Sequence, residues 1–325
     1  MELLEGINSS RVREFIILGF PGFPNSHFFL FLVFFFVYLL TVSSNITIIA
    51  LVLVDKHLHS PMYFFISNLS FLEIGYISST VPNLMVSLLT RNNSISFGGC
   101  IAQLYFFSCL GATENLLLAL MAYDRYLAIC SPLRYTLVMS SKMCIRLATV
   151  SWSGGFFIVT VPIVFIALLS FCGPNVVDHF LCEAAPLLQL SCSDTSTAKA
   201  LLSASATTAT LTSVLFTMFS YSCILFSIFR IPLTSGRKKA LSTCASHFIV
   251  VTLFYTSVCV MYMQPSGTHS SRNRIVAVFY GFVTPLLNPF IYSLRNKDIK
   301  HALIKILNRS KNISSQNIAM KIIFQ

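Results

Sequence analysis

The chain has 325 residues, 55% of them hydrophobic and 10% charged, with a formal net charge of +11 and a mean hydropathy of +0.76. Soluble domains carry about 25% charged residues, so this composition excludes an ordinary soluble enzyme, and it excludes disorder, which needs low hydrophobicity. A basic excess can serve nucleic acid or a membrane surface; here the charges lie between apolar runs, which assigns them to a lipid bilayer and not to nucleic acid.

Residues 1–26 read as a polar tail. Glu2, Glu5, Arg11, Arg13 and Glu14 interrupt it, so it lacks the long apolar core of a cleavable signal peptide. Asn8-Ser9-Ser10 within it is an N-glycosylation sequon. Asn45-Ile46-Thr47 and Asn312-Ile313-Ser314 fit the same pattern, but the first lies inside an apolar run and the second on the predicted cytoplasmic side.

A membrane-spanning helix needs about 20 mostly apolar residues. Seven such runs follow, at roughly 27–54, 61–89, 98–130, 143–169, 198–229, 240–263 and 273–294. The first contains no charge. The second and third each hold an interior acid, Glu73 and Glu114, and the third ends in Asp124-Arg125. The fifth is rich in Ser, Thr and Ala. The seventh contains Pro285 and Pro289, breaks that membrane helices tolerate. Beyond it, Ile299, Leu303, Ile306 and Leu307 alternate with Asp298, Lys300 and Lys305 at helical spacing, which predicts an interfacial eighth helix. The expected fold is an all-α seven-helix membrane bundle over 27–294, with an extracellular tail at 1–26 and a cytoplasmic eighth helix and tail at 295–325.

Of the 22 Lys and Arg residues, all but Arg11, Arg13, Arg91, Lys199, Arg272 and Arg274 belong to one alternate set of connecting segments and the C-terminal tail. Positive segments stay in the cytoplasm, so the N-terminus is expected outside a plasma membrane crossed seven times. Four of the ten cysteines, Cys100, Cys172, Cys182 and Cys192, then fall at the oxidising outer side. Spacing alone allows three pairings. The other six read as buried or reduced thiols.

Glu73 and Glu114 are the acids well inside the spans. An ionised carboxylate in lipid costs about 2.5–3.5 kcal/mol on insertion scales, so both should face the bundle interior, where Asn45 and Asn288 are expected at similar depth. Such an oxygen-rich set can hold a sodium ion, can share protons between its acids, or can mark a transport path. No other cofactor is expected. An enzyme finds little support: there is no phosphate-cradling glycine motif and no nucleophile elbow, and His179 and Asp178 beside Cys182 and Glu183 fit no zinc spacing. A secondary transporter would show inverted repeats, and the seven spans show none.

Four blocks are specific. Met121-Ala122-Tyr123-Asp124-Arg125-Tyr126-Leu127-Ala128-Ile129-Cys130 closes the third run, and Pro61-Met62-Tyr63-Phe64-Phe65 opens the second. Ser235-Gly236-Arg237-Lys238-Lys239-Ala240-Leu241-Ser242-Thr243-Cys244-Ala245-Ser246-His247 opens the sixth, and Pro285-Leu286-Leu287-Asn288-Pro289-Phe290-Ile291-Tyr292-Ser293-Leu294-Arg295-Asn296 closes the seventh. From about residue 25 to 308 the chain resembles olfactory receptors, a branch of the rhodopsin-like G-protein-coupled receptors.

The resemblance implies that Arg125 is held by Asp124 at rest and released on activation to face a heterotrimeric G protein, with Tyr126, Tyr221 and Tyr292 in the same switch. It implies disulfides Cys100–Cys182 and Cys172–Cys192, and a sodium site in which the family usually has Asp where Glu73 stands. It places a ligand site on Phe107, Ser108, Gly111 and Ala112 of the third run, Ser205 and Ala209 of the fifth, Tyr255, Val258 and Tyr262 of the sixth, and Val278 and Gly281 of the seventh. That lining holds no Lys, Arg, Asp or Glu, which suits a small neutral volatile odorant. The implied output is a stimulatory G protein that raises cyclic AMP.

Overall fold

The computed structural model describes residues 12–22, 26–172, 174–230, 235–262, 270–295, 298–305 and 308, without the side chains of 235–243, 260–262, 270–273 and 293–295. Asn8 lies outside the described residues. The chain begins with strand β1 (Glu14–Ile17) and helix α1 (His27–Val54), then α2 (Pro61–Thr90), β2 (Ser94–Ser96) and α3 (Phe97–Cys130). A short α4 (Pro132–Val138) leads to α5 (Ser141–Ala167), β3 (Val176–Val177), a short α6 (Ala184–Gln189) and α7 (Ser196–Arg230). Next come α8 (Ser235–Tyr262) and the seventh span, made of α9 (Ser270–Val278), a π turn (Phe279–Val283) and α10 (Thr284–Arg295). Residues 298–305 form a last helix, α11.

The helix ends follow local chemistry. Pro61 stands in the first turn of α2, where its missing N–H costs nothing. Arg91 closes that helix in the left-handed region at φ 55. Ser96 Oγ caps α3 by accepting from Gly99 N at 3.1 Å. A 28-residue helix such as α1 is about 42 Å long, enough to cross a hydrocarbon core of about 30 Å with polar ends to spare. By length and apolarity alone, α1, α3, α5, α7 and the seventh span over Arg274–Tyr292 qualify as crossings. The α2 and α8 helices complete the seven-helix bundle; α2 is less apolar because its inner face carries Ser70, Glu73 and Thr80.

Polarity is inverted relative to a soluble protein. Phe28, Phe29, Phe157, Phe226 and Phe229 face outward, while Asn45, Glu73, Thr113, Glu114, Asp124, His247 and Asn288 are buried. In lipid, polar groups are stable only where protein satisfies them. Helix α3 is the hub, packed against α2, α5 and α7. It meets α5 at Gly155, where an added Cβ would overlap Thr113 Oγ1 and stand 2.7 Å from Thr113 N, so only a glycine permits this backbone approach.

The structure differs from the sequence reading at three places. The seventh span deviates from α geometry at Phe279–Val283, one turn before Pro285 rather than at the prolines themselves. Pro285 has no N–H for the Gly281 carbonyl, and Thr284 Oγ1 turns back to Phe279 O at 3.3 Å. The N-terminal tail contributes β1, which lies between β2 and β3 in a three-stranded sheet. Phe15 faces Ile95 in the antiparallel pair, and Ile16 faces Val176 in the parallel one. The connecting segments also contain the short helices α4 and α6.

Cys100–Cys182 and Cys172–Cys192 are joined, with Cα atoms 5.4 and 5.9 Å apart, and Cys109, Cys130, Cys144, Cys223, Cys244 and Cys259 are free. Both bridges lie with the small sheet at one end of the bundle, the disulfide end. The Arg125 end is opposite, and α11 docks there. Its Ile299 and Ala302 are buried, Asp298 accepts from Tyr63 OH at 2.9 Å, and Lys305 Nζ reaches Asp55 at 3.4 Å.

Candidate functional site

At mid-depth the fold brings together all four residues of the predicted polar set. Asn288 of α10 donates to Glu73 Oε1 of α2 at 2.5 Å. Glu114 of α3 and Asn45 of α1 both act on the same carboxyl, and Asn45 also donates to Thr41 O at 3.0 Å. All four are essentially sealed from solvent. Asn45 Oδ1, Glu114 Oε1 and Asn288 Oδ1 have no hydrogen-bond partner. Three orphaned oxygens beside a fourth, satisfied one form a hard donor set of the kind that cations of the sodium class accept. Among the described residues no three His, Cys, Asp or Glu side chains converge on one point, so the set rests on two acids and two amides.

At the Arg125 end, Asp124 is 1% exposed and clasps the Arg125 guanidinium through Nε at 2.9 Å and through Nη2. Tyr135 of α4 donates to the other oxygen of Asp124 at 2.8 Å. Burial and the Asp124 carboxylate push the Tyr135 phenol up, so it stays a donor. Tyr221 of α7 shares a 2.6 Å hydrogen bond with His247 Nδ1 of α8, and the two rings stack. Cys244 is an electrostatic neighbour of both Tyr221 and Arg125. Tyr126 packs partly buried against the same cluster. Tyr292 is 1% exposed, its hydroxyl has no hydrogen-bond partner, and its electrostatic neighbours are Tyr221, Glu73, Glu114 and Arg125. It therefore stands between the mid-depth set and the Arg125 end. Sequence reasoning passed over Tyr135, which lies in a connecting segment, and left His247 without a role.

The predicted ligand-site residues separate into groups. Phe107 is buried, with its ring 4.6 Å from Tyr76 and 5.7 Å from Tyr280. Gly111 stands on the same face, where an added Cβ would meet the Tyr76 ring at 3.7 Å. Gly281 is buried, and a Cβ on it would project into open space. Tyr255 is buried beside Thr217, 3.5 Å from hydroxyl to hydroxyl, with Glu114 among its electrostatic neighbours. Val258 and Val278 pack at the edge of the main core, and Ala112 packs in the separate core at the disulfide end. Ser108 and Ala209 are half-buried, and half-buried Ser205 spends its hydroxyl on Leu202 O of its own helix at 3.0 Å. The Tyr262 side chain is outside the described residues. A cavity of about 190 Å³ between the end of α2, β1 and Phe180 shares none of these linings.

Above Phe107 lies a polar roof that the sequence did not assign. Gln103 fixes the bridged loop, accepting from Cys182 N at 2.9 Å and donating to Ser79 O at 3.1 Å. Glu183 accepts from Tyr280 OH at 2.9 Å, and its second oxygen faces His179 Nε2 at 3.3 Å. Burial pushes Glu183 up to about 7, against the Tyr280 hydrogen bond. Burial, helped by the Arg274 charge, pushes His179 down to about 4. The signal in the sequence is the run from Asp178 to Glu183, two acids and a histidine in six residues beside a bridged cysteine.

Residues 34–310 match the family described as olfactory receptor. Human (Homo sapiens) olfactory receptor 6B1 is 51% identical over 300 residues, covering 92% of this chain and 96% of that receptor. Human olfactory receptor 11L1 is 48% identical over 311 residues, covering 95% and 97%. A crystal structure of squid rhodopsin shares the fold, with a TM-score of 0.71 at 16% identity over 87% of this chain and 86% of that one.

Proposed function

The chain belongs to the olfactory receptor family of G-protein-coupled receptors, and from that premise we propose that it binds small, neutral, volatile odorants within the helix bundle and drives a stimulatory G protein to raise cyclic AMP. It is a multi-pass membrane protein and a signalling receptor, not an enzyme. In our reading it sits in the plasma membrane with the disulfide end and residues 1–26 outside, Asn8 glycosylated, and residues 295–325 in the cytoplasm. The bundle over 27–294 joins the two.

The observation that carries this reading is the Asp124–Arg125 clasp beside the Tyr221–His247 pair. A largely buried ion pair has small net worth and great sensitivity to a lost partner. Outward movement of the inner end of α8 carries His247 away, frees Tyr221, and lets Arg125 exchange Asp124 for the G protein. Odorant shifts the equilibrium only by its differential affinity for the two states. An apolar ligand against Phe107, Gly111 and Tyr255 has no ionic contact to make that difference large, so agonists are expected to be weak.

Asn45, Glu73, Glu114 and Asn288 fit a sodium ion through their free oxygens. The ion would supply the positive charge that lets both acids stay ionised away from water. Sharing of protons between the two acids would meet the same demand.

The test is Arg125→Ala in the full-length receptor, carrying an N-terminal epitope and expressed in cells reporting cyclic AMP during an odorant-panel screen. The epitope should be stained on intact cells for both forms, and the odorant response should be lost in the variant. A response that persists contradicts the role given to Arg125; an epitope reached only after permeabilisation contradicts the orientation.

A further inference from the structure

The roof at the disulfide end holds a buried titratable group that odorant binding and the Arg125 switch do not use. Glu183, at the start of α6, bonds Tyr280 of the π turn with one carboxyl oxygen and faces His179 with the other. His179 is 1% exposed, and its Nδ1 accepts from Leu181 N at 3.3 Å. The charged groups that face His179 from the neighbouring elements are Arg274 of α9 and Asp178 of its own loop, themselves 3.2 Å apart. The Tyr280 ring stands against Phe107. Irregular π turns recur at functional positions because they re-aim side chains.

We propose that Glu183 is a positioning residue of the ligand site, holding the Tyr280 ring against Phe107, and that the Glu183–His179 pair links this hold to the proton concentration outside. The proposal rests on the reading of Phe107 as ligand-site lining. In the closed arrangement the acid keeps its proton and the imidazole stays neutral, because burial disfavours both charged forms. Once the loop lifts into water the two groups return to ordinary values near 4.5 and 6.5.

The signs follow. Closure helped by the raised acid is fully present below 4.5 and is lost as pH rises through about 7. Closure helped by the depressed imidazole is present above 6.5 and is lost as pH falls through about 4. Between 4.5 and 6.5 the two dependences cancel, because opening moves a proton from acid to imidazole and exchanges none with water. The intact pair is therefore nearly indifferent to pH across that window, and opening rises only outside it, toward 7 on one side and toward 4 on the other. Each partner alone has a steep dependence of opposite sign.

The experiment follows hydrogen–deuterium exchange in the full-length receptor in phosphatidylcholine nanodiscs, from pH 5.0 to 6.5, corrected for the intrinsic exchange rate. Two peptides report: the loop around Cys182 and the π turn around Tyr280. The wild type should vary by less than about threefold across that range. In His179→Gln, opening should rise with pH, by up to about tenfold per unit. In Glu183→Gln it should rise as pH falls, with a similar limit. Added to His179→Gln, Tyr280→Phe should remove the pH dependence from the π-turn peptide and leave it in the loop. Equal signs or flat profiles in the two single variants overturn the proposal, as does a π-turn peptide indifferent to pH in both. If either variant fails to fold, a wild-type profile steeper than threefold is sufficient to overturn it. Odorant signalling unchanged in Glu183→Gln and Tyr280→Phe, with this exchange pattern intact, would instead count against the ligand-site reading alone.

Discussion

Gly155 shows how one missing methyl group sets a helix separation. Its absent Cβ is what lets α5 lie on the Thr113 backbone of α3, whereas at Gly154 an added Cβ would meet only the end of the Leu116 side chain, at 3.3 Å. Backbone cannot yield as a leucine tip can. Gly155→Ala should therefore cost at least about 1–3 kcal/mol, and Gly154→Ala much less. Thermal unfolding of the purified receptors checks this: only the first substitution should lower the midpoint clearly. Glu114 poses a charge question at the same scale. If sodium is the cation that the orphaned oxygens accept, replacing choline chloride by sodium chloride should raise the unfolding midpoint of the wild type and leave that of Glu114→Ala unmoved. Equal midpoints in both salts for the wild type would favour proton sharing.

At the scale of elements, β1 is the part least expected from the sequence. Glu14-Phe15-Ile16-Ile17 alternates exposed and buried positions, a strand pattern too short to stand out beside runs of about 30 apolar residues. Phe15 is fully buried where Phe171 meets it edge-on at 5.4 Å and Phe97 lies at 5.9 Å. Phe15→Ala should cost about 3 kcal/mol of local stability, seen as faster hydrogen exchange in the segments around Ser94 and Val176 and not in the spans. The seven helices themselves were legible because lipid demands long apolar runs with satisfied backbones. The π turn was not, since Phe279–Val283 contains no residue that marks one; it follows from where Pro285 and Thr284 leave carbonyls to be shared.

Taken as a whole molecule, the chain is read most easily where one residue type has one possible use. Glu73 and Glu114 had to point inward, and with Asn45 and Asn288 they share one sealed site. The Asp124–Arg125 neighbourhood followed from motif and position together. The ligand face was the harder part, because its residues are apolar and the whole interior is apolar. Sequence could place Phe107 and Gly281 on inward faces, but which aromatic rings meet depends on tilts and rotations that periodicity does not encode. Tyr76 and Tyr280 entered only with the structure, and with them came Glu183, an acid bonded to the ring that meets Phe107.

The small sheet also imposes an order on biosynthesis. Its middle strand is translated first, yet one flanking strand lies near residue 95 and the other near residue 176. At about 5–20 residues per second, the last partner emerges roughly 8–30 s after the first strand. For about the first half of that interval Phe15 has no cover and both strand edges are open, and for the rest the edge that β3 will take stays open. Each nascent copy thus carries an adhesive N-terminal segment, which is retired only when the fourth crossing is complete and its following loop has arrived.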